Sequence, residues 1–268
     1  MVVKAGMEDD QFGEAPLVLP PMEEGEVREV ERILGYEFMN KRLLEEALTH
    51  GSYYPPKPLG PSYERLEFVG DAVLSCVMAR EVFSSYPDLL PGRLTLLRAA
   101  NIDTERLARI ALTSSLHLYL RHKAPQLDRQ IEEFIDGINE HPYHSNGLLD
   151  PPKPLADIIE SVIGAIFMDS SSSLETAWKV FVRLADPFIN ENTLGRHPVS
   201  ELHELCQKMK RELKFVKNKW EENTTVKVLV DNELYGIASY SYKKEIAQNR
   251  AAKAALNKLK KELEDMAD

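Results

Sequence analysis

Two short apolar segments of this chain carry acids where a buried helix should have none. The first is Tyr63-Glu-Arg-Leu-Glu-Phe-Val-Gly-Asp-Ala-Val-Leu74, and the second is Leu155-Ala-Asp-Ile-Ile-Glu-Ser-Val-Ile-Gly-Ala-Ile-Phe167. Glu64, Glu67 and Asp71 recur at i, i+3 and i+7, so a helix would align them in one stripe. Asp157 and Glu160 are again three apart and share a face. The rest reads as core: Leu66, Phe68, Val69, Val73 and Leu74 in one segment, Ile158, Ile159, Val162, Ile163 and Ile166 in the other. Carboxylates in such surroundings need cationic partners, because an unpaired buried charge protonates or costs several kcal/mol. Arg65 is the one basic residue the two segments offer. Hard divalent cations held by oxygen ligands meet the need directly, with Mg²⁺ first in line. A solvated acidic face is the competing reading for either segment alone. Gly70 and Gly164 weigh against it, since a glycine in each segment lets two helices approach closely.

Composition bounds the class of protein. The chain of 268 residues suits one sizeable domain and a smaller one. Its only cysteines, Cys76 and Cys206, are too few for a disulfide framework or a zinc cluster, which points to an intracellular, reducing compartment, nuclear or cytoplasmic. The basic runs Lys208–Arg211 and Lys258–Lys261 are too weak to decide for nuclear import. No apolar run has the length of a membrane span, so no membrane partner is expected. Residues 1–25 are acidic, rich in Pro and Gly and carry one Lys, unlike a secretory or organellar leader, and are expected to be disordered. No Ser-His-Asp, Cys-His or P-loop pattern competes for chemistry, and no small-molecule cofactor is expected. The seven histidines lack metal-ligand spacing.

The C-terminal quarter reads α-β-β-β-α. His197-Pro-Val-Ser-Glu-Leu-His-Glu-Leu-Cys-Gln-Lys208 opens with a proline suited to a first helical turn. Segments 213–217, 224–230 and 234–240 are short and β-prone, with Asp231-Asn232 as the turn between the last two. Residues 243–263 form an Ala-rich helical pattern with Ala247, Ala251, Ala255 and Leu259 on its apolar face.

These residues together resemble a known family. Glu64–Leu74 closely resembles the signature helix of ribonuclease III, with Val69 in place of Leu as the single change. The stretch from Leu155 to Glu160 is similar to that family's second acidic motif. The entry segment, Leu34-Gly-Tyr-Glu-Phe38 through Ala47-Leu-Thr-His-Gly-Ser-Tyr53, is similar to its first helices. The long acidic connector between Leu127 and Lys153 is similar to that of plant Dicers and plant ribonuclease III-like proteins. The C-terminal text Lys243-Lys-Glu-Ile-Ala-Gln-Asn-Arg-Ala-Ala looks like a double-stranded-RNA-binding domain. The implied architecture is an all-α endonuclease domain over 26–190, a linker over 191–196 and a small α+β duplex-binding domain over 197–264.

The resemblance implies roles residue by residue. Glu67, Asp71, Asp157 and Glu160 would hold the metal, with Asp71 and Glu160 at the chemistry and Glu64 as an outer acid touching RNA or water. Lys153 would set a cation beside the scissile phosphate; alternatively it is a solvated lysine at a helix entrance. Two Mg²⁺ ions roughly 4 Å apart, with Mn²⁺ able to substitute, would clamp the attacking water and the leaving oxygen. Products would then carry 5′-phosphate and 3′-hydroxyl ends. His203 and Glu204 would face a minor groove, and Lys243 and Lys244 would grip phosphates at a helix N-terminus. Phe68 would plug into the second subunit of a homodimer, which supplies the second cluster needed to cut both strands; otherwise it is an ordinary core phenylalanine.

Charge and three departures complicate this picture. Residues 1–196 hold 19 Lys+Arg against 31 Asp+Glu, whereas residues 197–268 hold 14 against 12. The C-terminal module is therefore expected to supply much of the grip on RNA. Yet Glu245 and Gln248 replace two lysines of the family's basic run, and the loop Asn218-Lys-Trp-Glu-Glu-Asn223 lacks the family's Gly-Pro-x-His. The module could instead serve protein–protein contact or dimerisation. Pro91 stands where many members have Glu, removing one candidate RNA contact. The expected activity is Mg²⁺-dependent cleavage of double-stranded RNA; the alternative is a non-cutting duplex-RNA-binding assembly partner. Retention of all four core acids favours the enzyme, because acids are costly to bury without metals.

Overall fold

The computed structural model describes residues 19–54, 60–217 and 224–265. Among the described residues, the N-terminal domain has eight α-helices: α1 Glu24–Leu34, α2 Lys41–Ala47, α3 Glu64–Ser85, α4 Pro91–Ile102, α5 Thr104–Thr113, α6 Leu127–Ile138, α7 Lys153–Asp169 and α8 Leu174–Ala185. Local chemistry sets many of their ends. Asn40 and Asp103 accept from backbone N–H groups in the first turns of α2 and α5, satisfying donors that a helix start leaves orphaned. Pro91 is the first residue of α4, where its missing N–H costs nothing.

Helix α7 is the axis of this domain. Leu155, Ile158, Ile159, Val162, Ile163 and Ile166 on it are fully buried, so it is enclosed by its neighbours as an all-round apolar helix must be. Its closest partner is α3, and two glycines set their separation. A Cβ on Gly70 would lie 1.7 Å from the Glu160 carbonyl oxygen, and one on Gly164 would lie 2.1 Å from that of Leu66. No larger residue fits at this crossing, and it brings the stripe of α3 against that of α7. Asp169 anchors the far end of α7 by accepting from Tyr36 Oη at 2.8 Å, Met39 N at 2.8 Å and Asn40 N at 2.9 Å.

Two sequence expectations change on folding. Phe68 is not a core residue: it is 81% exposed, at the open edge of the α3–α7 crossing. Ordered packing begins ahead of residue 26, with Leu19 and Met22 buried and α1 starting at Glu24; the expected disorder of residues 1–18 lies outside the described residues. The acidic connector is partly helical, since α6 buries Leu127 and Phe134 on one face and turns its acids outward.

The C-terminal module consists of α9 Pro198–Lys208, strands β1 Leu213–Val216, β2 Thr225–Val230 and β3 Glu233–Ser239, and α10 Lys244–Asp265. The strands form one antiparallel sheet in the order β1-β2-β3. Asp231 and Asn232 turn β2 into β3 with φ of 52° and 66°, the left-handed pair that a tight hairpin turn requires. Helix α10 lies on the sheet, with Ala247, Ala251, Ala255 and Leu259 buried among Val226, Val228 and Val230. Cys206 is buried in the same core, and burial pushes its thiol pKa up, so it behaves as apolar packing.

Residues 144–150 of the connector join the two domains. Ser145 N donates to Glu105 Oε1 at 2.7 Å, and the same carboxylate is paired with Arg109 at 2.8 Å in a buried cluster. His144 Nε2 lies 2.9 Å from Asp103 Oδ2. Burial works against its charge, but Asp103 and Glu105 outweigh this and raise its pKa. On the other side, Asn249 Nδ2 and Arg250 Nε of α10 donate to the carbonyls of Gly147 and Leu148, each at 2.8 Å.

Candidate active site

The α3–α7 crossing gathers the acids. Glu67, Asp157 and Glu160 each offer a carboxylate oxygen within 4.8 Å of the others. They line a cleft of about 440 Å³ together with Glu64, Phe68, Asp71, Thr104 and Lys153. Asp71 borders the cleft one turn further along α3, outside the three-oxygen group. Glu64 stands exposed at the rim.

Lys153, at the first position of α7, reaches into this cluster. Its Nζ donates to Asp157 Oδ1 at 2.6 Å and to Glu67 Oε1 at 2.8 Å. Partial burial disfavours its charge, yet the two carboxylates more than compensate and hold its pKa above the usual lysine value. Asp157 is 4% exposed, and its second oxygen, Oδ2, accepts from Tyr63 Oη at 2.9 Å. Burial raises the Asp157 pKa, opposed by the bonds from Lys153 and Tyr63. Glu160 receives no comparable help. Burial, then the neighbouring charges of Asp71, Asp157 and Glu67, push its carboxyl up to about 8, against a weaker lowering by Lys153.

This donor set fits a hard divalent cation. Carboxylate oxygens from two helices converge, and their crowding already distorts the protonation of Glu160. One ammonium group neutralises only part of the charge, whereas a dication would favour the ionised form of every acid present.

The other candidate residues are dispersed. In the module, Glu204 is paired with Arg196, and the His203 ring lies 5.7 Å from that of Phe215. Lys243 is engaged by the protein itself: its Nζ donates to Asp150 Oδ1 at 2.5 Å, and Tyr240 Oη donates to the other oxygen at 3.1 Å. Lys244 opens α10 beside it. The loop expected to lack a minor-groove contact, 218–223, lies outside the described residues.

Sequence reasoning missed Tyr63, Asp150, Asn249 and Arg250. Tyr63 was visible as the residue that opens the acidic segment, but its partner is 94 positions away. Asp150 carries no motif, and Asn249 and Arg250 lie within the C-terminal motif without any sign of their partners, which only the packing of the two domains supplies.

Fold and site define a helical nuclease domain joined to a small duplex-binding α+β module. Residues 64–171 match the Ribonuclease III domain family, and residues 198–259 match the Double-stranded RNA binding motif. Over 248 residues the chain is 60% identical to Ribonuclease 3-like protein 3 of Oryza sativa subsp. japonica, covering 92% of this chain and 83% of that protein. It is 45% identical over 237 residues to Endoribonuclease Dicer homolog 1 of Arabidopsis thaliana, of which it spans 12%. Among solved structures, the nuclease domain of ribonuclease III from Campylobacter jejuni aligns with 63% of the chain at 30% identity and a TM-score of 0.47. The chain belongs to the ribonuclease III family of double-strand-specific endoribonucleases, and its C-terminal module is a double-stranded-RNA-binding domain. Among the described residues, no helix is long and apolar enough to cross a membrane.

Proposed function

We propose that this protein hydrolyses double-stranded RNA at the α3–α7 cleft with Mg²⁺ as its cation, releasing 5′-phosphate and 3′-hydroxyl ends, and that it does so as a homodimer. The convergence of Glu67, Asp157 and Glu160 on one point, with Asp71 bordering it, carries this reading. Those four residues would hold the metal. Divalent cations bound there would supply activation of a water and stabilisation of a leaving oxygen, and a pair of them would supply both.

The chain's own residues do the rest. Glu160, whose carboxyl burial and the neighbouring acids push up to about 8, would have to be ionised to hold a cation, so metal binding is expected to tighten as pH rises. Lys153, held charged by Asp157 and Glu67, stands beside the scissile phosphate and offsets charge that develops on it. Glu64 at the rim orients RNA or water. The module binds the A-form duplex by shape, with His203 and Glu204 toward a minor groove and Lys243 and Lys244 toward phosphates. Phe68, a large apolar side chain beside the cleft and exposed in a single protomer, is where a second subunit would dock. Two such clefts related by a two-fold axis cut both strands.

The test is incubation of a long RNA duplex with the full chain in Mg²⁺ or Ca²⁺, followed by analysis of product ends. Wild type is expected to cut in Mg²⁺, and Glu160→Gln to bind the duplex without cutting it. Cleavage by Glu160→Gln near the wild-type rate would remove the cleft from the reaction. Binding without cleavage by the wild type itself would favour the assembly-partner reading.

A further inference from the structure

Asp157 is the most enclosed acid of the cleft, and its two oxygens face different partners. Oδ1 meets Lys153, which also binds Glu67, so this oxygen lies on the side where the acids converge. Oδ2 is taken by the phenol of Tyr63, itself 3% exposed. Tyr63 is fixed in turn. Its backbone N–H donates to the Thr49 carbonyl at 2.9 Å, and its ring meets that of His50 edge-on at 5.6 Å. Arg121 locks Thr49 by donating to Oγ1 through Nε at 3.0 Å and Nη2 at 2.6 Å. A carboxylate with one oxygen bonded to an immobile donor is restrained from rotating and is biased toward binding a metal through its other oxygen. Ligands oriented in this way by their outer contacts bind metals more tightly.

We propose that Tyr63 is a positioning residue for the metal centre, dedicating Asp157 Oδ1 to the cation by occupying Oδ2. This rests on the metal-site reading above. The variant is Tyr63→Phe, which keeps the buried ring and removes only the hydroxyl. Mn²⁺ binding to the full chain without RNA, well below the melting temperature, is expected to weaken by about 10- to 100-fold. Cleavage should then need more Mg²⁺ but recover its rate when Mg²⁺ saturates. A lower melting temperature with unchanged Mn²⁺ affinity would make Tyr63 a merely structural residue and overturn the proposal. Glu160→Gln, measured alongside, separates the two ideas. Retained Mn²⁺ binding in that variant breaks the metal-site reading, whereas its loss together with an unaffected Tyr63→Phe breaks only the role of Tyr63.

The domain junction independently carries a second inference. Asp150, largely enclosed, accepts from both Lys243 and Tyr240, while Asn249 and Arg250 hold the adjacent carbonyls. The Asp150 carboxylate takes up part of the Lys243 charge and repels a duplex phosphate that approaches the same ammonium group, so the two compete for it. We infer that Asp150 stands in for an RNA phosphate and holds the module against the connector until a duplex displaces it. Asp150→Asn in the full chain should tighten binding of a long RNA duplex by about fivefold. Glu132→Gln on the exposed face of α6 removes one charge without this contact and should have a smaller effect. Lys243→Ala should weaken binding more in the Asp150→Asn background than in wild type. Equal effects of Asp150→Asn and Glu132→Gln, or equal effects of Lys243→Ala in both backgrounds, would overturn the inference.

Discussion

Glu160→Gln should stabilise the metal-free protein, and by an amount that depends on pH. The carboxyl of Glu160 moves from an ordinary 4.5 to about 8 on folding, through burial and the charges of Asp71, Asp157 and Glu67. Across that window the folded state binds more protons than the unfolded one, so stability falls as pH rises from about 4.5 to 8. Below the window the effect is absent, and above it the penalty is complete. The full displacement corresponds to at most about 5 kcal/mol. Glutamine has nearly the same shape and never ionises, so the variant escapes the penalty. For a domain of this size 1 kcal/mol moves the melting temperature by about 2–4 °C. In EDTA near pH 8.5 the variant should therefore melt above wild type, by at most roughly 10–20 °C, and near pH 5 the two should nearly coincide. Scanning calorimetry across that pH range reads the difference directly. Added Mg²⁺ at the higher pH should raise the wild-type transition and leave that of the variant where it was. A variant that melts below wild type at pH 8.5, or a gap of equal size at both pH values, would refute the electrostatic account of the cleft.

Three further outcomes are expected. Gly70→Ala should lower stability by about 2 kcal/mol or more, despite alanine's better helix propensity, because its Cβ would meet the Glu160 carbonyl at 1.7 Å; thermal denaturation checks it, and a neutral result would mean that the helices separate freely. Phe68→Ala should leave the melting of a dilute monomer almost unchanged, since the side chain is exposed, while analytical ultracentrifugation shows loss of dimer and gels show loss of paired cuts. Lys153→Met removes the ammonium group that occupies Asp157 Oδ1 and Glu67 Oε1; Mn²⁺ affinity should rise while the saturated cleavage rate falls, and a drop in both would deny Lys153 its place beside the phosphate.

Much of the site was legible in the sequence because helical periodicity is local. Spacing alone aligned Glu64, Glu67 and Asp71 on one stripe and paired Asp157 with Glu160, and an apolar background marked each segment as a core helix. Gly70 and Gly164 were readable as points of close approach for the same reason, since only a missing side chain permits backbone contact. The α-β-β-β-α order of the module followed equally from local pattern and turn chemistry. Tertiary structure decided what periodicity cannot reach. It turned Phe68 outward, because an aromatic in an apolar segment carries no label for the face it occupies. It set Tyr63 on Asp157 and Lys153 between two acids, contacts spanning 94 and 86 positions on the first helix's side. It closed Lys243 onto Asp150, so a lysine that reads as a phosphate contact is already bonded within the chain. Sequence spacing determines which side chains share an element; which element lies opposite is set by packing two surfaces together, and that choice gives each acid its partner and its protonation.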